Sequence, residues 1–313
     1  MSPKETSKPD LTAGVRRAAA DLAAAWSEKL ARVRTALGLK EPGPRTLFYR
    51  HTLAVRLLHW SNAVILLVML MSGLQIFNAH PALYIGNGSN FDHPVLALFG
   101  ATENGQTVGI TQIGSWQFHT TGVLGASEQF GQTVPRGFPS WITLPGLSPE
   151  LAMGRLWHFA FAWLFVINGA LFAAYAFLSG HFSRDLLPRR ADIAHLPREI
   201  VDHARLRFPK GEAAKRYNAL QKLAYFSVIF IVAPLIVLTG LTMSPTMDSA
   251  FPFLPFIFGG RQTARTIHFL CAFAFVAFFL VHMIMVVLSG TWNNLRSMIT
   301  GRYAIELQET RNV

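Results

Sequence analysis

Arg265–Ser289 reads RTIHFLCAFAFVAFFLVHMIMVVLS, and this stretch decides the fold. It is long and apolar enough to cross a bilayer as a helix, which takes about 20 predominantly apolar residues. His268 and His282 lie fourteen positions apart within it. At about 3.6 residues per turn this is nearly four turns, so both imidazoles leave the same side of the helix, roughly 21 Å apart along its axis. One therefore falls near each edge of a hydrocarbon layer about 30 Å thick. Imidazole in lipid is costly, and an intramembrane ionisable residue marks a functional site. Two on one face, at two depths, point to two cofactors stacked across the membrane.

The composition agrees with a membrane location. Of 313 residues, 51% are hydrophobic and 14% charged, against about 25% charged in an ordinary soluble domain. The net charge is +11. In a soluble protein that balance would fit nucleic acid; in a membrane protein Lys and Arg mark the cytoplasmic loops, and no nucleic-acid partner is expected. The single cysteine, Cys271, excludes an intrachain disulfide, a CxxCH haem attachment and a cysteine-ligated iron–sulfur cluster. It reads as a small packing residue. Residues 1–10 are polar, and no secretory signal is expected.

Residues 11–38 read as an amphipathic helix, with Val15, Ala19, Leu22, Trp26, Leu30, Val33 and Leu37 at spacings of three and four. It either packs on protein or lies on anionic lipid, with Arg16, Arg17, Lys29, Arg32 and Arg34 off the apolar stripe. Glu-Pro-Gly-Pro at 41–44 ends it as a linker. The first span is about 55–77, the second 155–178, the third 221–243 and the fourth 265–289. Pro234 is expected to kink the third span. The 78–153 loop is read as a long connection without regular structure, of the kind that carries function; its only Lys or Arg is Arg136. Residues 179–217 are strongly basic, and 244–264 are too short and broken to span. The positive-inside rule then puts both termini and 179–217 in the cytoplasm, and the 78–153 loop on the other side.

The spans contain four histidines: His59, His158, His268 and His282. His59, just inside the first span, and His282, near the end of the fourth, share the cytoplasmic depth. His158 and His268, each early in a span entering from outside, share the outer depth. Neutral imidazole is a usual axial ligand of haem iron, so two bis-histidine b haems fit these pairs. A lone buried histidine is more often a hydrogen-bonded packing residue. Zinc also takes histidine, but two imidazoles per level and no nearby carboxylate leave its site short of ligands. Porphyrin supplies the other four itself. Arg56, Arg155 and Arg265 each precede a histidine by one turn on the same face: RLLH, RLWH, RTIH. They either snorkel to headgroups or hold haem propionates. Gly73 and Gly169 would admit a macrocycle or simply close helix packing. His80, His93 and His119 in the long loop are read as surface residues.

With these residues in place, the sequence resembles the membrane-bound di-haem cytochrome b subunits of formate dehydrogenases, nickel–iron hydrogenases and thiosulfate-reductase-like molybdoenzymes, in the cytochrome b561 superfamily. The likeness rests on RLLHW at Arg56–Trp60, RLWH at Arg155–His158, RYNALQKL at Arg216–Leu223, and the pair His268 and His282. It implies the same ligand pairing and electron transfer between a catalytic subunit outside the cytoplasm and a quinone near the inner haem. By itself Asn218 reads as a helix N-cap and Lys222 as an interfacial anchor. The resemblance implies instead that Asn218, the backbone near Leu220, Gln221 and His282 border the quinone, although the family's run has Gly where Leu220 stands.

The expected fold is therefore an all-α membrane protein. It comprises a cytoplasmic amphipathic leader and linker (1–45), a four-transmembrane-helix bundle binding two b haems (50–300), and a cytoplasmic tail (301–313). The expected function is a membrane-anchor cytochrome b of the bacterial inner membrane, passing electrons between a periplasmic redox enzyme subunit (molybdopterin or hydrogenase type) and membrane quinone. Two other readings are a stand-alone haem oxidoreductase acting on superoxide or a metal, and a non-redox membrane scaffold.

Overall fold

The computed structural model describes residues 45–146, 150–205 and 217–306, together with scattered positions between 14 and 29. Those scattered positions are all helical; the rest of 1–44, where most of the expected leader helix falls, lies outside the described residues. The chain divides into a small unit (1–48, 210–212 and 304–313) and a large one (49–209 and 213–303). Arg45–Tyr49 (β1) pairs with a C-terminal strand, Arg302–Glu306 (β8).

Among the described residues, four helices in the large unit are long and apolar enough to cross a membrane: Leu53–Asn78 (α1), Leu151–Leu178 (α2), Ala219–Thr242 (α4) and Arg261–Leu288 (α7). They match the four predicted spans, with ends displaced by at most four residues, as helix boundaries usually are. Thr52 caps α1 by accepting from Val55 N. In α4 the residues Val228–Val232 form a single π-helical turn. Pro234 follows directly: it offers no N–H and its ring crowds the carbonyl one turn back, and the wider turn absorbs the mismatch.

The four spans form two layers, α1 against α2 and α4 against α7. Within the first layer a buried amide does the joining. Asn168 donates to Leu58 O (3.2 Å) and Asn62 Oδ1 (3.3 Å), and accepts from Ser61 Oγ (2.8 Å). Helices in lipid gain no hydrophobic drive from each other, so such cross-helix bonds contribute much of the specificity.

The expectation of an all-α protein, with an irregular 78–153 loop, is corrected. This connection holds Ala82–Leu83 (β2), Leu96–Glu103 (β3), Gln106–Ile113 (β4), Trp116–His119 (β5), Ala126–Gln129 (β6) and Gln132–Pro135 (β7). The first four make an antiparallel sheet in sequence order, and β6–β7 make a separate hairpin. The cause is local. Asn104-Gly105 joins β3 to β4 with both residues at positive φ, the geometry that suits a two-residue hairpin. A core of Leu74, Phe77, Leu83, Leu98 and Phe138, with Phe269 packed on it, fastens this β region to α1 and α7. The end of the bundle carrying it is called here the connector end; the other, where α1 begins and α7 finishes, the terminal end.

The basic segment after α2 contains a helix, Arg190–Ala204 (α3). It is tied to the start of α4, where Asp192 takes Lys222 Nζ (2.9 Å) and Glu199 Oε2 accepts from Leu220 N (3.0 Å). Lys222, expected as an interfacial anchor, is thus half of an ion pair. Two short helices, Pro245–Ala250 (α5) and Phe253–Ile257 (α6), fill the 244–264 connection without spanning. Beyond the fourth span, Thr291–Thr300 (α8) is a further helix.

Candidate functional site

Helix α7 sets the site. Its two histidines face the other layer at two levels, each opposite one further imidazole. His268 faces His158 of α2 with ring centroids 6.2 Å apart, and His282 faces His59 of α1 at 6.3 Å. The pairing expected from depth alone is the pairing observed. Two imidazoles on opposite sides of one metal, each with a metal–nitrogen distance of about 2 Å, have centroids about 6 Å apart.

At the connector end both rings are held by the same device. His158 Nδ1 lies 3.2 Å from Met69 O and 3.1 Å from Ser72 Oγ. His268 Nδ1 lies 2.9 Å from Ile236 O and 3.3 Å from Thr239 Oγ1. Each hydroxyl donates its own proton down its helix, Ser72 to Val68 O and Thr239 to Leu235 O. Towards the imidazole, therefore, both neighbours accept, and Nδ1 is the protonated nitrogen. That tautomer leaves Nε2 with its lone pair, as a metal ligand requires. A glycine follows each hydroxyl. A Cβ on Gly73 would stand 3.3 Å from His158 Cε1, and one on Gly240 would stand 3.3 Å from His268 Cε1. The two layers thus repeat one motif, Ser72-Gly73-Leu74 and Thr239-Gly240-Leu241. Gly73 was singled out in the sequence; its counterpart Gly240 and the two hydroxyls were not, and the repeat was the signal available. Gly169, also singled out, has nothing within 4 Å of a Cβ.

The terminal end is built differently. His59 Nδ1 is buried with no hydrogen-bond partner among the described residues, and its ring meets Trp60 edge-on at 5.3 Å. His282 stacks on Phe278 (5.9 Å, 14° between planes). Ring contacts continue from Phe278 to Tyr225 (6.1 Å) and from Tyr225 to Tyr217 (5.5 Å), the residue before Asn218. Asn218 Oδ1 accepts from Gln221 N (2.7 Å) and Gln221 Oε1 from Asn218 N (3.3 Å). These bonds make a complete capping box at the start of α4. Nearby, burial and then Arg50 push His51 down to about 4, so it is neutral at pH 7.

The three arginines find different surroundings. Arg56 Nη1 donates to Ile299 O and Trp60 Nε1 to Met298 O (3.1 Å), so both satisfy carbonyls at the C-terminal end of α8. Arg155 is exposed, with its guanidinium over the Phe159 ring at 5.4 Å. Arg265 Nη2 donates to His80 O (2.5 Å) and the group lies over Phe77.

Four apolar spans with paired imidazoles inside define a class, the multi-pass membrane cytochromes b. Residues 50–301 match the family described as prokaryotic cytochrome b561, and the chain belongs to it. Membership implies haem b. A protein of Azospira oryzae named "putative protein-methionine-sulfoxide reductase subunit YedZ1" is 34% identical over 157 residues, covering 49% of this chain and 73% of its own length. The residues fit the group the family implies. The connector-end ring centroids lie at a bis-imidazole spacing, and a glycine packs against each ring.

Proposed function

We propose that this chain is the membrane-anchor cytochrome b of a quinone-linked oxidoreductase, carrying electrons between a partner subunit outside the cytoplasm and membrane quinone. One observation carries the reading: two cross-layer histidine pairs at 6.2 and 6.3 Å, stacked along α7. His158 with His268, and His59 with His282, would each hold one haem b, with Arg56, Arg155 and Arg265 towards the propionates. Haem b supplies reversible one-electron redox chemistry at its iron. The protein's part is to fix the imidazoles and keep water away. Met69 O and Ile236 O orient two of the rings, and Phe269, Phe273 and Phe278 line the α7 face.

Asn218, the Leu220 backbone, Gln221 and His282 would border the quinone at the terminal end. The oxygens of both amides serve the cap, and an amide N–H is the kind of donor that a quinone carbonyl accepts from. The ring series from Tyr217 to His282 supports this placement, since it joins that stretch to the neighbouring histidine pair. Both termini would be cytoplasmic and the β region external, by the basic residues of 179–217 and their near absence from 78–153. The partner reading is supported by the relative's name, which makes that protein a reductase subunit. Reduced-minus-oxidised spectra and pyridine haemochrome assay of the purified chain test the reading. Two b haems per chain are expected; absence of a b-type α-band would end it.

A further inference from the structure

Arg136 is the lone cation of the β region, and it is buried, with 7% of its surface exposed. Its Nη2 donates to Gln75 Oε1 (2.7 Å) and Thr143 Oγ1 (2.9 Å). Its Nε and Nη1 are buried with no hydrogen-bond partner among the described residues. None of the ion pairs among the described residues includes it. A buried cation left without a counter-charge is strongly unfavourable, so an anion belongs beside those two nitrogens. Burial pulls the group below its ordinary pKa.

The position narrows what the anion is. Gln75, which anchors Arg136, sits two residues beyond Gly73, the glycine against His158. It also packs on Gly154 of α2, one turn before His158; a Cβ there would stand 3.0 Å from Gln75 Cγ. Two residues after Arg136, Phe138 is clamped to the end of α1 by Asn78, whose amide donates to Phe138 O (3.0 Å) and accepts from Phe138 N (2.6 Å). The Phe138 ring packs on Phe269, the neighbour of His268, at 6.5 Å. Further on, Leu144 N reaches Met71 O (3.1 Å), beside the Ser72 hydroxyl that faces His158. The segment from Arg136 to Leu144 therefore runs along α1 at the rim of the connector-end pair. By contrast, Arg155 is exposed and Arg265 donates to His80 O.

We propose that Arg136 joins Arg155 and Arg265 in holding the propionate carboxylates of the haem b bound between His158 and His268, and so makes the β region part of that haem's site. This rests on the haem reading given above. Arg136 is a binding residue for the cofactor, reached through the connection that carries the β2–β5 sheet, and its Gln75 and Thr143 bonds position it.

The test is an optical redox titration of the full-length chain in membranes, with haem stoichiometry measured alongside. The connector-end component is identified as the one missing from His268→Ala. In Arg136→Gln, that component should shift to lower midpoint potential, because a positive charge favouring the reduced state is gone, while the terminal-end component stays put. Arg136→Lys keeps the charge but offers one ammonium for two nitrogens; the same component should shift in the same direction, by less. Unchanged potentials in both variants would overturn the proposal. If Arg136→Gln does not assemble, Arg136→Lys decides by the same criterion. Fewer than two haems in the unaltered chain would instead overturn the reading on which the proposal rests.

Discussion

The two histidine pairs have nearly the same ring separation, 6.2 and 6.3 Å, but are held in different ways. At the connector end each imidazole has a carbonyl, a hydroxyl and a glycine from its own layer. At the terminal end His59 Nδ1 has no partner among the described residues, and His282 is placed by stacking on Phe278. Hydrogen bonds fix a ring's tautomer and rotation together; stacking fixes its plane alone. Hydrogen bonds therefore orient one pair, and ring contacts place the other.

The largest expected effect treats the pairs as independent. His268→Ala and His282→Ala should each remove one of two haems, halving the pyridine haemochrome yield. Each should also leave behind a component with a different potential. If either substitution empties both levels, the two sites are one cooperative unit and the contrast fails.

The next effect separates the ends by packing. Gly240→Val puts a branched side chain where even a Cβ would be 3.3 Å from His268 Cε1. Overpacking of that kind costs about 1–3 kcal/mol, and the connector-end haem should be lost selectively. Gly169→Val, with nothing within 4 Å, is the control and should retain both haems and melt unchanged. Haem content and thermal unfolding in detergent read both variants.

A subtler change probes the hydrogen bonds themselves. Ser72→Ala or Thr239→Val removes one acceptor from an Nδ1–H that keeps its carbonyl. A lost hydrogen bond is worth about 0.5–1.5 kcal/mol. The imidazole becomes a weaker donor to iron, so the connector-end potential should rise while the terminal-end potential holds. A shift at the terminal end instead would contradict the assignment of levels.

The bundle was legible in the sequence because its signals are long and redundant. Four apolar runs and four histidines at two depths agree with one another, and the ring pairs follow. The β region was missed because its signals are short. Asn104-Gly105, Gly114-Ser115 and Phe130-Gly131 are the two-residue links of three hairpins, and only the first is a strong turn pair. The carbonyls of Met69 and Ile236 could not be found by residue type, since every residue has one. Arg136 stood out as a lone cation, but its burial between α1 and the β region depends on a fold the loop was not expected to have.

The smallest effect concerns Asn218, where two roles share one side chain. Its oxygen completes the capping box with Gln221, and replacing such a cap by Ala costs about 1 kcal/mol. Asn218→Ala therefore confounds a weakened helix start with a lost amide donor. Asn218→Ser separates them, because a serine hydroxyl caps nearly as well but offers no amide. If the residue borders the quinone, the Ser variant should melt with the unaltered protein, keep both haems, and still be re-oxidised more slowly by quinone. If it only starts the helix, re-oxidation should match the unaltered protein in Asn218→Ser and fall in Asn218→Ala only as far as stability does. The comparison has consequences beyond one residue, since α3 grips the same turn through Glu199 and Asp192. A quinone that needs the Asn218 amide would be reading a turn that two acidic side chains hold in place.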